Sequence, residues 1–77
     1  MEIEIISFGK IAEFIGNQKI DIAEIADTDT LKIHLETLFP KLKDIKYKFA
    51  LNNHLVQENS AVNHKDILAI MPPFSGG

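Results

Sequence analysis

Ile67 to Met71 reads Ile-Leu-Ala-Ile-Met, apolar at every position. A strand with one wet face alternates polar and apolar residues, whereas an unbroken apolar run fits a central strand buried on both faces. Pro72 and Pro73 follow at once; proline has no amide hydrogen to give to a ladder, so the chain must leave the sheet there. The remaining segments then have to be laid out around this strand. Glu2 to Phe8 alternates, with Ile3 and Ile5 on one face and Glu2, Glu4, Ile6 and Phe8 on the other. That second face begins charged and ends apolar, which is odd for a face simply turned to water. Gln18 to Ala23 puts Ile20 and Ile22 inward and Lys19 and Asp21 outward. Tyr47 to Leu51 alternates again, Asn52-Asn53 is a tight-turn pair tolerant of positive φ, and His54 to Gln57 returns as a short strand.

Two helical segments interrupt the strands. Ile11, Phe14 and Ile15 have helical spacing, and Gly16-Asn17 resembles a helix C-terminus. The main helix follows the polar stretch Ala26 to Thr30, with Thr28 expected as its N-cap and Asp29 in its first turn. Leu31, Leu35, Leu38, Phe39 and Leu42 form one apolar stripe to lie on the sheet. Pro40 disfavours helical geometry at Phe39, so the regular helix should end near there. Glu58 to Asp66 is a polar loop with Val62 as its anchor. The order strand, strand, helix, strand, strand, strand predicts one α+β domain over residues 1–77.

Composition narrows the function. Seventy-seven residues bury only about 60–65% of their unfolded surface and make one domain. No cysteine is present, so disulfides and thiolate metal sites are out, and a reducing, cytoplasmic setting is expected. The acidic start Met1-Glu2-Ile3-Glu4 is unlike a signal peptide, and no apolar run approaches membrane-spanning length. The net charge is −3 and the eight lysines are scattered, which argues against a nucleic-acid surface. His34, His54 and His64 lack zinc-pair spacing, and His34 falls off the helix stripe, as a solvated side chain would. Ser7, Ser60 and Ser75 lack a nucleophile-elbow context, and no glycine-rich loop could cradle a phosphate. Neither an active site nor a bound metal or cofactor is expected.

The ending is the most distinctive chemistry. Pro73, Phe74, Ser75, Gly76 and Gly77 form an extended tail of roughly 17 Å at full stretch. Glycine carries no Cβ, so such a tail can enter a narrow tunnel. A terminal carboxyl has an unperturbed pKa of about 3.3–3.7, is ionised at neutral pH, and is a poor electrophile. To react it must be activated, for instance as an acyl-adenylate made from ATP by another protein. Sulfur or an amine could then capture it. With no cysteine, sulfur cannot be carried on this chain as a persulfide; a terminal thiocarboxylate remains.

From Glu4 onward the chain resembles the small subunits of molybdopterin synthase, within the ubiquitin-like β-grasp sulfur carriers. The resemblance rests chiefly on Ala69-Ile70-Met71-Pro72-Pro73-Phe74-Ser75-Gly76-Gly77, with support from Ala50-Leu51-Asn52-Asn53 and from Ile5 to Gly16. Lys65, in Asn63-His64-Lys65-Asp66, departs from the family's usual glycine. The resemblance implies a mixed sheet of about five strands covered by one main helix, with a flexible Gly-Gly tail. It further implies that Gly77 is adenylated by a ubiquitin-activating-type adenylyltransferase and converted to a thiocarboxylate. The tail would then enter the large synthase subunit, in what would be a heterotetramer, and donate sulfur to a pterin precursor. Ile6 and Phe8, with Phe74, would form an apolar patch against that partner. Other functions share the same activated tail: a sulfur carrier for thiazole synthesis, which typically lacks the Pro-Pro, or a ubiquitin-like modifier joined to lysines through Gly77. A plain interaction module with an incidental Gly-Gly is a further alternative.

Overall fold

The structure of the protein, a computed structural model, describes residues 1–73. Five strands, β1 (Glu2–Ser7), β2 (Gln18–Asp21), β3 (Lys48–Leu51), β4 (His54–Leu55) and β5 (Ile67–Met71), form one mixed sheet in the order β2-β1-β5-β3-β4. β5 is central, as expected. It runs parallel to β1, pairing Ile5 with Leu68 and Ser7 with Ile70, and antiparallel to β3, pairing Phe49 with Ile70 and Leu51 with Leu68. The parallel pair needs a long crossover. The helix α1 (Thr28–Leu38) lies within it, and Leu31 and Leu35 are buried with Ile3, Ile5, Leu68 and Ile70 in one core.

Burial on β5 is one-sided. Leu68 and Ile70 are fully covered, but Ile67 is exposed and Ala69 and Met71 only half-buried. The expectation of two covered faces is corrected: only one helix is available, and it covers one face. The helix stripe holds at Leu31 and Leu35 but not at Leu38, which is 48% exposed. Helical geometry stops at Phe39 (φ −129°, ψ 81°), and a 3₁₀ turn over Pro40–Asp44 carries Leu42 into the core instead. The segment near Lys10 is also a 3₁₀ turn, Gly9–Glu13. Its left-handed glycine is Gly9 at φ +60°, not Gly16; the Asn17 side chain beyond it accepts from the Ser7 N–H.

The N-cap is Asp27 rather than Thr28. Its carboxylate accepts from the Thr30 N–H at 2.9 Å. Hydrogen bonds from Thr30, then from Asn59, hold the Asp27 pKa below the usual carboxylate range. The Thr28 hydroxyl is buried and committed elsewhere: it donates to Asn59 Oδ1 and accepts from the Ser60 N–H. That clasp, with the Val62 N–H bonded to the Ala26 carbonyl and the Val62 side chain buried, ties the long loop to the start of the helix. β3 and β4 join through Asn52 (φ 50°) and Asn53 (φ 70°), both left-handed as a tight hairpin turn requires. The strands are shorter than expected, β3 starting at Lys48 and β4 ending at Leu55.

Lys65 adopts φ +71° in the turn before β5, where its N–H donates to the Glu2 carbonyl and the Asp66 N–H to the Asn63 carbonyl. A lysine in the left-handed region carries strain of about 1 kcal/mol that glycine escapes. Lys65→Gly should therefore raise stability by at most about 0.5 kcal/mol, because its larger unfolded-state entropy takes back roughly 0.4–1 kcal/mol of the relieved strain. The urea midpoint of the variant against wild type measures this; a lower midpoint would show that the turn does not strain Lys65.

Candidate functional site

The site begins with an alternation. Because Ile3, Ile5 and Ser7 turn to the core, Ile6 and Phe8 turn to the opposite face, and on β5 the same rule sends Ile67, Ala69 and Met71 outward. Strand register then lines these up. Ile6 pairs with Ala69, Ala69 with Ala50, and Ala50 with Leu55, giving one apolar row across four strands. Its middle is two alanines and its ends are larger side chains, so the row is a shallow trough. Leu55 is 47% exposed and Phe8 49%. At the top of the face, Phe8, Gly9, Met71 and Pro72 line an apolar recess of about 370 Å³. The Phe8 N–H still bonds the Ile70 carbonyl, which fixes the ring beside the end of β5. Adjoining exposed apolar residues of this kind make the face a candidate contact surface.

Of the residues singled out from sequence, Ile6, Phe8 and Pro73 lie within the described residues. Ile6 is half-buried and Phe8 exposed, both on the outer face, and Pro73 is exposed at the end of β5. Phe74, Ser75, Gly76 and Gly77 lie outside the described residues. Sequence reasoning missed Ala50, Leu55, Ile67, Ala69, Met71 and Gly9. The signal was present in β5 itself, since an all-apolar strand must send every second side chain to the outer face.

Elsewhere little chemistry gathers. Among the described residues no three of His, Asp and Glu come together as a metal site. His34 is half-buried rather than solvated, His54 is exposed, and His64 Nδ1 accepts from the Glu2 N–H at 3.0 Å. Ser7 Oγ is buried on the core side and has no hydrogen-bond partner among the described residues. The Tyr47 hydroxyl donates to Glu36; burial first, and then that carboxylate, push its pKa above the usual phenol value. No helix among the described residues is long and apolar enough to cross a membrane.

Comparison with known proteins is consistent along the whole chain. A model of the ThiS family matches residues 5–77. The molybdopterin synthase sulfur carrier subunit of Arabidopsis thaliana is 31% identical over 81 residues, spanning 100% of this chain and 84% of that protein. The putative molybdopterin converting factor subunit 1 of Pyrococcus furiosus superposes with a TM-score of 0.82 at 16% identity, covering 95% of this chain and 98% of its own. A chain from the protein–protein complex of subunits 1 and 2 of the Helicobacter pylori molybdopterin-converting factor gives a TM-score of 0.71 at 28% identity, over 100% of both chains. The fold is the ubiquitin-like β-grasp.

Gly9 sets where β5's continuation can run. A Cβ built on it would lie 3.0 Å from Pro72 Cγ, and its φ of +60° excludes most side chains. Gly9→Ala should cost about 1–2 kcal/mol, from backbone strain and a displaced Pro72. Gly16→Ala, which meets nothing within 4 Å, should change stability by less than about 0.5 kcal/mol. Denaturant midpoints of the two variants provide the check; equal midpoints would remove Gly9 from the site.

Proposed function

The chain belongs to the ThiS family, and from that membership we propose that it is the sulfur carrier subunit of a molybdopterin synthase. The observation that carries the proposal is the match over the whole chain to a subunit of that name. Its reactive group is the Gly77 carboxylate. A ubiquitin-activating-type adenylyltransferase uses ATP to convert this inert anion into an acyl-adenylate with release of pyrophosphate, and sulfur at the level of sulfide displaces AMP to leave a thiocarboxylate. The large synthase subunit then receives the tail, and the sulfur passes to a pterin precursor in its site. Pro73, Phe74, Ser75 and Gly76 are the segment that inserts, and the small cross-section of glycine suits a confined passage. The cytoplasm, where no disulfide is needed and ATP is at hand, is the compartment this chemistry calls for.

In this proposal the outer sheet face is where the large subunit docks. Ile6, Phe8 and Phe74 are its anchors, and the Ile6–Ala69–Ala50–Leu55 row supplies flat apolar area beside them. The support is physical: the face is apolar, exposed, and adjoins the strand from which the tail departs.

Incubated with the activating enzyme, ATP and a sulfur donor, the chain should gain the mass expected when sulfur replaces one carboxyl oxygen. Tandem mass spectrometry should place the change on Gly77. Sulfur at any other residue, or isopeptide-linked lysine targets as the sole product in lysate, would favour a different use of the tail.

Phe8→Ala should leave thermal stability nearly unchanged, because the ring is half exposed. It should weaken binding to the large subunit by about 1–3 kcal/mol if the ring anchors the interface. Calorimetric titration of the variant reads this directly; wild-type affinity would take Phe8 out of the interface.

A further inference from the structure

Four of the eight lysines come together in the folded chain. Lys41, Lys43, Lys46 and Lys48 fall within eight residues of sequence. The fold brings Lys43, Lys46 and Lys48 together with Lys32 of α1 around one groove of about 500 Å³, which Pro73 also lines. The groove holds a single carboxylate, Glu36, and that group accepts the Tyr47 hydroxyl, whose ring lies 5.4 Å from Lys32 Nζ. Among the described residues no lysine forms a salt bridge; the one ion pair joins the N-terminus to Asp21. Four lysines line this groove against one carboxylate, and on a chain of net charge −3 they create a local positive field that acts on what approaches from outside.

Position says what approaches. Lys48 is the Cα partner of Met71, so the basic groove begins where the apolar outer face ends. Pro73, at the root of the tail, belongs to the groove, while Pro72 belongs to the apolar recess. A protein covering Phe8, Met71 and Pro72 runs on directly to Lys48 and Pro73. A nucleic acid would meet the same lysines, but beyond them a net acidic chain repels a polyanion. We propose that Lys32, Lys43, Lys46 and Lys48 are an electrostatic rim that captures an acidic segment of the large subunit as it docks. This rests on the assignment of the outer face as the docking surface for that subunit. Charges at an exposed rim speed encounter more than they hold the complex, because water and salt screen them once contact is made.

Stopped-flow mixing of the full chain with the isolated large subunit, at low and at high salt, tests the rim. For the double variant Lys43→Glu/Lys46→Glu the association rate constant should fall about tenfold at low salt. Its dissociation rate should stay as in wild type, and the difference should shrink as salt rises. Lys43→Gln/Lys46→Gln should move the same way by less, and both pairs should keep the wild-type thermal midpoint because both side chains are exposed. A reversal variant that associates like wild type at every salt concentration overturns the rim and leaves the docking face standing. Wild-type chain that fails to bind the large subunit overturns the docking face and the rim together. Loss of binding to inorganic triphosphate with an unchanged association rate would give the groove to a phosphate ligand and also overturn the proposal.

Discussion

The burial of Leu68 and Ile70 in the middle strand is the interaction on which the rest of the molecule depends. Both are fully covered, each contributing about 1.5–3 kcal/mol by removal from water. They sit where three strands meet, with Ile5 and Ser7 on one side and Phe49 and Leu51 on the other. Taking β5 away separates β1 and β2 from β3 and β4, and it removes the surface on which Leu31 and Leu35 of α1 rest. The last strand of the chain therefore completes the fold. The loop before it, tied to the helix by Thr28, Asn59 and Ser60, holds it in register.

A single cover explains why one face stays open. α1 has 11 residues and so is about 16 Å long, against a five-strand sheet about 19 Å wide. One such helix closes one face, and the chain has no second α-helix among the described residues to close the other. The outer face could have been made polar, as the start of β1 is at Glu2 and Glu4. Instead it turns apolar toward Ile6 and Phe8, beside Met71 and Pro72. The open face and Pro72-Pro73, which follow β5, thus share one edge of the molecule, as the proposed docking of a partner beside the tail requires. The basic groove adds direction to that edge, since apolar area alone says little about approach or orientation.

The division of labour is chemical as well. Among the described residues no three of His, Asp and Glu gather as a metal site, and the buried Ser7 hydroxyl turns to the core. In the proposed function the chain supplies a carboxyl group, a tail and a surface, and the reactions at Gly77 fall to its partners.

Much of this was legible in the residues because it rests on local periodicity. The five strands, the main helix, the Asn52-Asn53 turn, the Val62 anchor and the place of β5 at the centre all follow from side-chain alternation, spacing and turn chemistry. The proposal for the terminal chemistry rests on residue identity and on the family match, and lies outside the described residues. What sequence could not decide depends on which distant groups compete for the same partner. Thr28 looked like the cap, but Asn59 and Ser60 claim its hydroxyl from thirty residues away, so Asp27 caps the helix instead. Leu38 fits the stripe, yet the chain turns at Phe39 and Leu42 takes its place in the core. Ala50, Leu55 and Ala69 became one row only through register, and Lys32 joined Lys43, Lys46 and Lys48 only because α1 lies against Tyr47. Periodicity is written residue by residue along the chain; register and helix placement are fixed by contacts between segments, and those exist only once the chain has folded.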